Sequence, residues 1–420
     1  TSKLPVYPSI CLYCHAFQLR TNFHMTEILK TDALIFGGGV AGLWLLNRLR
    51  NAGYQTWLFE QDRLGTGQSI ASQGMIHGGI KYALGGKLTS ATTAIADMPA
   101  HWKKCLAGEG DVDLRGCNLL SENYYMWPRN SIRSRLNAFL GSKALEAKVN
   151  AVDKSQYPDF FRDKIPGPLY KLQDIVLDVP SLLTTLSDAQ PSSIFKIDWQ
   201  QASLKPDANG GIAYLELDSG QRIEAQQYIF CCGAGAEPLM KQFGLGITQM
   251  QRRPLRMVMV KHTFTDPLYV HCVSDRLSMT PEVTITSHLN SAGEPVWYLG
   301  GELAEEGANQ TDEELIDSAR SKLSEMFPWC DFQHARWDTL AIDRAEEQQA
   351  DGKRPDDISI ASQNNLMVCW PTKLTLAPNL ANQILTQMQD KQILGGQNAA
   401  TQPPASLVRP LIAPTPWEQL

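Results

Sequence analysis

The sequence predicts an α/β protein in which a Rossmann-like nucleotide-binding domain is interrupted by a mostly antiparallel β-sheet domain with helices. Two observations predict it. Residues 33–60 read as strand, glycine turn, helix, second strand and terminal acid, the βαβ pattern of a parallel sheet. From Arg253 to Glu302 the character changes to short strands joined by turns, and strand-then-helix alternation returns only at 358–389.

The first unit is the most explicit. The apolar strand 33–36 runs into Gly37-Gly38-Gly39-Val40-Ala41-Gly42, which satisfies G-x-G-x-x-G, and a helix over 43–51 stops at Gly53. Gly37 allows the tight turn, Gly39 lets the backbone approach a pyrophosphate, and Gly42 lets the helix pack closely on the strand. Free amides at the helix start, with the positive end of its dipole, hold phosphates. The strand 56–59 ends at Glu60, 18 residues after Gly42. An acid there accepts hydrogen bonds from a ribose 2′-hydroxyl and repels a 2′-phosphate, so the expected ligand is FAD or NAD and not NADP.

Residues 65–86 are too rich in Gly, Ser and Thr for a long helix, and 90–107 read as one. A strand at 124–127 and a helix at 131–149 follow. Asp178-Val179-Pro180 places a proline at the start of a helix over 181–189. Strands are expected at 194–203, 212–217 and 228–232, the last ending in Gly233-Ala234-Gly235. Antiparallel strands at 255–260, 268–273, 283–286 and 297–300 make the second domain, with a hairpin turn at 290–293. Thr311-Asp312-Glu313-Glu314 is a capping-box pattern opening a helix to Met326. A strand at 358–367, a helix at 376–389 and a Pro-rich, irregular or surface-docked stretch complete the chain. The expected division is 25–110, 150–250 and 340–395 for the nucleotide-binding domain, 111–149 and 251–339 for the cap, and 396–420 for the tail.

Composition bounds the function. A length of 420 residues supports a large core and two domains, and 43% apolar with 20% charged residues describes a soluble globular protein. A net charge of −6 argues against a general nucleic-acid binder. No apolar run reaches the roughly 18 residues of a spanning helix, which leaves peripheral membrane contact open. Nine cysteines without a disulfide framework fit a reducing, cytoplasmic setting. Residues 1–24 lack periodicity and end just before Met25, so they read as an extension, vector-derived or from an upstream start. Their Cys11-Leu12-Tyr13-Cys14-His15 matches C-x-x-C-H, but so short a segment cannot enclose a haem, and no metal site is expected.

Three further segments carry a resemblance. Gly65-Thr66-Gly67-Gln68-Ser69 precedes Ser72-Gln73-Gly74-Met75-Ile76-His77-Gly78-Gly79-Ile80-Lys81-Tyr82; residues 223–235 form a strand and glycine turn; Trp370-Pro371-Thr372-Lys373-Leu374-Thr375-Leu376-Ala377-Pro378 lies near the end. Together, in this order, they resemble the D-amino-acid oxidase and flavin-dependent glycerol-3-phosphate dehydrogenase superfamily, and are similar to the L-2-hydroxyglutarate dehydrogenases. The resemblance covers about 28–389 and implies a Rossmann-like FAD-binding domain of glutathione-reductase type. It implies FAD contacts for Ser72, Gln73, Gly74 and Met75, for Gly233, for the backbone of Lys373, Leu374 and Thr375, and for Ala202 at the adenine. With Gly37, Gly39, Val40, Ala41, Gly42, Glu60, Gln61 and Thr66 these make up the expected cofactor site.

Catalytic candidates follow from chemistry and position. His77 is placed either to take a substrate proton near a flavin or to fix the glycine loop. Arg344 falls where relatives carry an Arg-Pro pair that grips an anionic substrate; here no proline follows it, and Asp343 or Glu346 is an alternative partner. Lys373 suits either substrate or the flavin N1–C2=O edge. Arg354 reads as a solvated loop residue, Trp297, Trp337 and Trp370 as packing, and Tyr82 as pocket wall or core. Cys369 and His77 are the residues to inspect for a covalent flavin link. Relatives carry a second glycine where this chain has Thr372.

The expected activity is oxidation of a small CH–OH or CH–NH substrate, probed as hydroxy acid, polyol phosphate or amine, by hydride transfer to flavin N5, with quinone or oxygen as acceptor. The alternatives are a flavoprotein acting on a bulky or tRNA-bound amine, and a flavin-binding regulator without turnover.

Overall fold

The computed structural model describes residues 28–78, 95–128, 149–274, 280–355, 357–396, 402–403 and 407–420. The extension 1–24 with its Cys11–His15 motif, the segment Gly79 to Tyr82 and nearly all of the helix expected at 131–149 lie outside the described residues.

Parallel pairing gathers the site. Strand β1 (Leu29–Phe36) lies between β2 (Thr56–Glu60) and the strand Arg222–Phe230, parallel to both, with Phe36 opposite Phe59 and Phe230. Leu366–Trp370 runs parallel to the end of Arg222–Phe230, Val368 opposite Phe230. Strands that run the same way end at the same edge. Gly37, Glu60, Gly233 and Lys373 therefore converge there, although 336 positions separate the first from the last. Such an edge is where nucleotides bind in open α/β sheets.

Helix α1 (Val40–Asn51) covers one face of this sheet, burying Leu43, Trp44 and Leu46 against Leu380, Ala381 and Ile384 of the helix Ala377–Asp390. On the other face Phe36, Phe59, Phe230 and Leu239 form a separate core with Trp199 packed against it. The strand expected at 194–203 is interrupted: Ile194–Lys196 pairs with β2, and Ser203–Pro206 starts the sheet's opposite edge.

The second sheet has eight strands, ordered Arg336–Glu347, Met250–Lys261, Pro295–Gly300, Val283–Leu289, Val270–Val273, Tyr124–Pro128, Tyr170–Leu172 and Val149–Ala151. All neighbours are antiparallel except Val270–Val273 beside Tyr124–Pro128. Strands at 149–172 and the whole of Arg336–Glu347 thus pair in the cap sheet, where the sequence assigned 150–250 and 340–395 to the nucleotide-binding domain. Three-residue strands such as Val149–Ala151 and Tyr170–Leu172 carry too little pattern to specify which sheet they join. One face of the cap sheet buries Val258, Val260, Trp297 and Leu299 against Leu315, Ala319 and Leu323 of the helix Asp312–Met326. That helix opens on the expected capping box: the Glu314 amide donates to Thr311 Oγ1 at 3.2 Å and the Thr311 amide to Glu314 Oε2 at 2.9 Å. The other face meets the loop 71–73 of the nucleotide-binding domain. There Tyr298 donates to the Ala71 carbonyl at 2.9 Å and Gln73 Nε2 to the Tyr298 carbonyl at 2.9 Å.

Candidate active site

The three fingerprint glycines have separable roles. Gly37 has φ +108°, and a Cβ there would sit 2.5 Å from the Cys231 carbonyl oxygen, so backbone conformation and space both demand glycine. At Gly42 a Cβ would lie 2.0 Å from the Gly37 carbonyl oxygen; helix and turn touch backbone to backbone. Gly39 is unlike both. Its φ of −74° and ψ of 177° suit any residue, and a Cβ would meet only Ser69 Oγ, at 3.0 Å. Among the described residues only Ser69 Oγ crowds Gly39, which otherwise lines the cavity.

Helix α1 has no acid in its first turn, so the positive end of its dipole is left for a ligand. The Val40 amide donates to Ser69 Oγ at 3.0 Å. At the end of β2 the Glu60 carboxylate accepts from the Gly38 amide at 2.6 Å and the Asp62 amide at 2.9 Å. Burial raises its pKa above the ordinary carboxylate value, and these amides partly offset that. Glu60 is thereby held rigidly beside the turn.

A cavity of about 980 Å³ opens from this edge toward the cap sheet, at the upper end of the size range for cofactor sites. Its walls include Gly37, Gly39, Val40 and Ala41; Glu60, Gln61 and Thr66; Ser72, Gln73 and Met75; Gly233, Lys373 and Leu374. Arg344 faces it from the cap side. Gly42, Gly74, Ala202, Thr375 and His77 stand behind the lining. Gly74, at φ +68°, packs where a Cβ would reach the Leu177 carbonyl at 2.1 Å. Ala202 is in the core beneath Trp199, and it is Trp199 that lines the cavity. Thr375 is fully buried and holds two elements: its Oγ1 accepts from the His77 amide at 3.2 Å, and its carbonyl accepts from Trp102 Nε1 at 3.0 Å.

The cap wall is built on an ion-pair ladder. Alternation along Arg336–Glu347 and Met250–Lys261 distributes charges to both faces. Arg252 pairs with Asp343 at 3.2 Å, and Arg253 pairs with the buried Glu346. Arg344 takes neither acid; its Nη1 lies 3.3 Å from Glu305 Oε1 and its Nε donates to the Arg253 carbonyl at 3.3 Å. Burial, then the charge of Arg253, lowers its pKa from the usual guanidinium value. Arg354 also lines the cavity, in place of the solvated position expected for it. Trp370 does both jobs, packing at 1% exposure while lining the cavity and donating to the Gly233 carbonyl at 3.2 Å.

Thr372 takes φ +64°, a conformation costly for a β-branched residue, and its hydroxyl donates to the Asp357 carbonyl at 2.6 Å. Cys369 lines the cavity, and burial pushes its thiol pKa well above the ordinary range. That environment keeps it protonated and a poor nucleophile.

Several lining residues went unread in the sequence. Ser69 caps the α1 amide, and nothing in its local pattern marks it. His271 projects from Val270–Val273 on the side opposite Val270 and Cys272, with Nδ1 3.0 Å from Thr284 Oγ1. That alternation was the available signal. Pro414, Thr415, Pro416 and Gln419 also reach the cavity.

Among the described residues one group has metal-ligand chemistry: His101, Cys105 and Asp111, with ligand atoms within 4.8 Å of one another. Arg48 already stands 3.5 Å from the Asp111 carboxylate, and the Asp111 hydrogen bond raises the His101 pKa to about 10. The group is a cation–carboxylate cluster away from the cavity.

Comparison with known proteins decides the family. The profile of the DAO family, described as FAD dependent oxidoreductase, matches residues 32–368. The chain belongs to this family. It is an FAD-dependent oxidoreductase. It is 43% identical over 397 residues to the "Probable FAD-dependent oxidoreductase PA4991" of Pseudomonas aeruginosa, covering 94% of this chain and 99% of that protein. The crystal structure of PA4991 superposes with a TM-score of 0.81 over 94% of this chain and 99% of that one, at 39% identity. Glycine oxidase from Geobacillus kaustophilus shares the fold at 15% identity, with a TM-score of 0.62 over 86% of this chain and 95% of that one. So does the FAD-bound L-α-glycerophosphate oxidase of Mycoplasma pneumoniae, at 14% identity and a TM-score of 0.60 over 93% and 100% of the two chains.

The residues present fit FAD. The open face of Gly39, the acid-free first turn of α1 and the anchored Glu60 suit an ADP moiety, and the wall of Ser72, Gln73 and Met75 with Lys373 suits a flavin ring. No helix among the described residues is long and apolar enough to cross a membrane.

Proposed function

We propose that the enzyme oxidises a small anionic substrate at a carbon bearing an amine or hydroxyl, with Arg344 as the anion clamp. The observation that carries this reading is the charge on the cap wall. Asp343 and Glu346, the acids nearest Arg344 in sequence, pair with Arg252 and Arg253, and Arg344 is left facing the cavity with Glu305, an acid 45% exposed, as its partner. A single-contact ion pair to an exposed acid is weak, so a substrate carboxylate or phosphate can replace Glu305 with two parallel hydrogen bonds. Lys373 and Arg354 add positive charge to the same cavity. Bound FAD accepts the hydride; the chain's residues orient the substrate, exclude water and balance its charge.

The same reading assigns His77 to the loop behind the cavity wall, where its backbone N–H donates to Thr375 Oγ1 and ties that loop to the Leu374–Leu376 turn. Structural neighbours are named glycine oxidase, iminodiacetate oxidase and L-α-glycerophosphate oxidase, so amino-acid-like and polyol-phosphate substrates both belong in the test panel. Oxygen or a quinone is the proposed electron acceptor.

Anaerobic mixing with a panel of amino acids, N-alkyl amino acids, hydroxy acids and glycerol 3-phosphate, followed by flavin absorbance, tests the proposal. An anionic member should bleach the flavin. Arg344→Met should raise its half-saturating concentration about 10- to 100-fold, the value of a charge-assisted pair, while the oxidised spectrum stays unchanged. Equal reduction by a neutral amine or alcohol, or an unmoved half-saturation in the variant, would overturn it.

A further inference from the structure

We infer that residues 407–420 form a strap that retains FAD by pinning the cap onto the nucleotide-binding domain. The strap is fixed at both ends. At its start it pairs with the fingerprint's neighbours: the Leu64 amide donates to the Leu411 carbonyl at 2.8 Å, the Ala413 amide to the Leu64 carbonyl at 2.9 Å, and the Lys196 amide to the Val408 carbonyl at 2.7 Å. Leu64 adjoins Gly65, whose amide donates to the Gly38 carbonyl at 2.9 Å, so this end is bonded one step from the glycine turn.

At the other end Trp417, 2% exposed, stacks on His288 with ring centroids 4.1 Å apart and donates to the Leu289 carbonyl at 3.2 Å. Glu418 accepts from the Ser291 amide at 3.0 Å. Between these anchors Pro414, Thr415 and Pro416 line the cavity. Two prolines in three residues stiffen that span, because each fixes its own φ.

The route from strap to cofactor is short. Trp417 lies 5.5 Å, ring to ring, from Tyr298, which holds the Ala71 carbonyl through its hydroxyl and Gln73 through its own carbonyl. Ser72 and Gln73 belong to the cavity wall that suits the flavin. Opening this wall requires Trp417 to leave its site or Tyr298 to lose its backing. The strap thus couples cap closure to cofactor release with no residue of its own in the chemistry.

The test uses the full-length holoenzyme. Release of FAD on dilution, or into an excess of an FAD-specific apoprotein as scavenger, is followed by flavin fluorescence for wild type, Trp417→Ala, Trp417→Phe and Glu418→Gln. Trp417→Ala should release FAD about tenfold faster or more, in line with loss of a buried aromatic anchor. Trp417→Phe, which keeps a ring on His288, should stay within about threefold of wild type. Thermal midpoints with and without added FAD provide the second readout. The strap predicts that Trp417→Ala shrinks the FAD-induced rise in midpoint. Equal lowering of apo and holo midpoints with an unchanged release rate would make Trp417 a packing residue alone and overturn the inference. If Trp417→Ala fails to fold, an unchanged release rate in Glu418→Gln decides against the strap, and a faster one supports it.

Discussion

Replacing Gly39 by alanine separates folding from cofactor binding. The backbone at Gly39 is already in a region open to alanine, and the added Cβ meets one atom, Ser69 Oγ at 3.0 Å. A hydroxyl can yield a few tenths of an ångström, so the apoprotein should change stability by about 0.5 kcal/mol or less. The methyl projects into the cavity in front of the α1 amides. A pyrophosphate pushed outward there loses charge-assisted hydrogen bonds worth roughly 1.5–3 kcal/mol each. Loss of one or two predicts FAD binding weakened about 100-fold, equivalent to about 2.7 kcal/mol. Gly42→Ala should behave oppositely. Its Cβ would overlap the Gly37 carbonyl at 2.0 Å, and forcing helix from turn costs about 3 kcal/mol of apoprotein stability. Urea unfolding of the apoproteins gives the first quantity, and titration with FAD by fluorescence quenching gives the second. A Gly39→Ala protein that binds FAD like wild type, or that unfolds as easily as Gly42→Ala, would refute this division of roles.

Two further predictions rest on strain and titration. Thr372→Gly should leave stability within about 0.5 kcal/mol, because relief of the left-handed conformation offsets the lost bond to Asp357, whereas Thr372→Val keeps the strain, loses the bond and should cost about 1–2 kcal/mol in urea unfolding. Burial lowers the His262 pKa to about 4 and that of His288 to about 3, so both stay neutral when folded and take up protons when unfolded below their ordinary 6.5. Stability from these two residues is therefore full above pH 6.5 and falls as pH drops toward their folded values, by about 2 kcal/mol each at pH 5. Urea midpoints at pH 7.5 and pH 5 check this; a His262→Phe, His288→Phe protein with an undiminished pH slope would refute it.

The nucleotide-binding half of the site was legible because its signals are local. Gly37, Gly39, Gly42 and Glu60 lie within 24 positions; Gly37 and Gly42 are demanded by backbone contacts that a fixed spacing produces, and Glu60 is held by the Gly38 amide. The Lys373 segment was found through its resemblance to a family pattern, and parallel pairing explains why it arrives at the same edge. The cap side was harder to read for a physical reason. Arg344 was singled out, but which acid it meets depends on the register of two 12-residue strands: Arg252 falls opposite Ala345 and Arg253 opposite Arg344, so their ion pairs with Asp343 and Glu346 run diagonally. His271 and the 407–420 strap contribute through contacts with residues far away in sequence, and no local pattern marks a proline as cavity wall. The asymmetry has a functional side. A dinucleotide is held largely by backbone groups, while the substrate wall proposed for the cap consists of side chains that can change one at a time. Arg344, Arg354, His271 and Thr284 come from separate strands and loops of that cap wall, so each can be replaced without disturbing Gly39 or Glu60. The chemistry is therefore readable from the fingerprint and its companions, and the substrate must be read from the wall opposite.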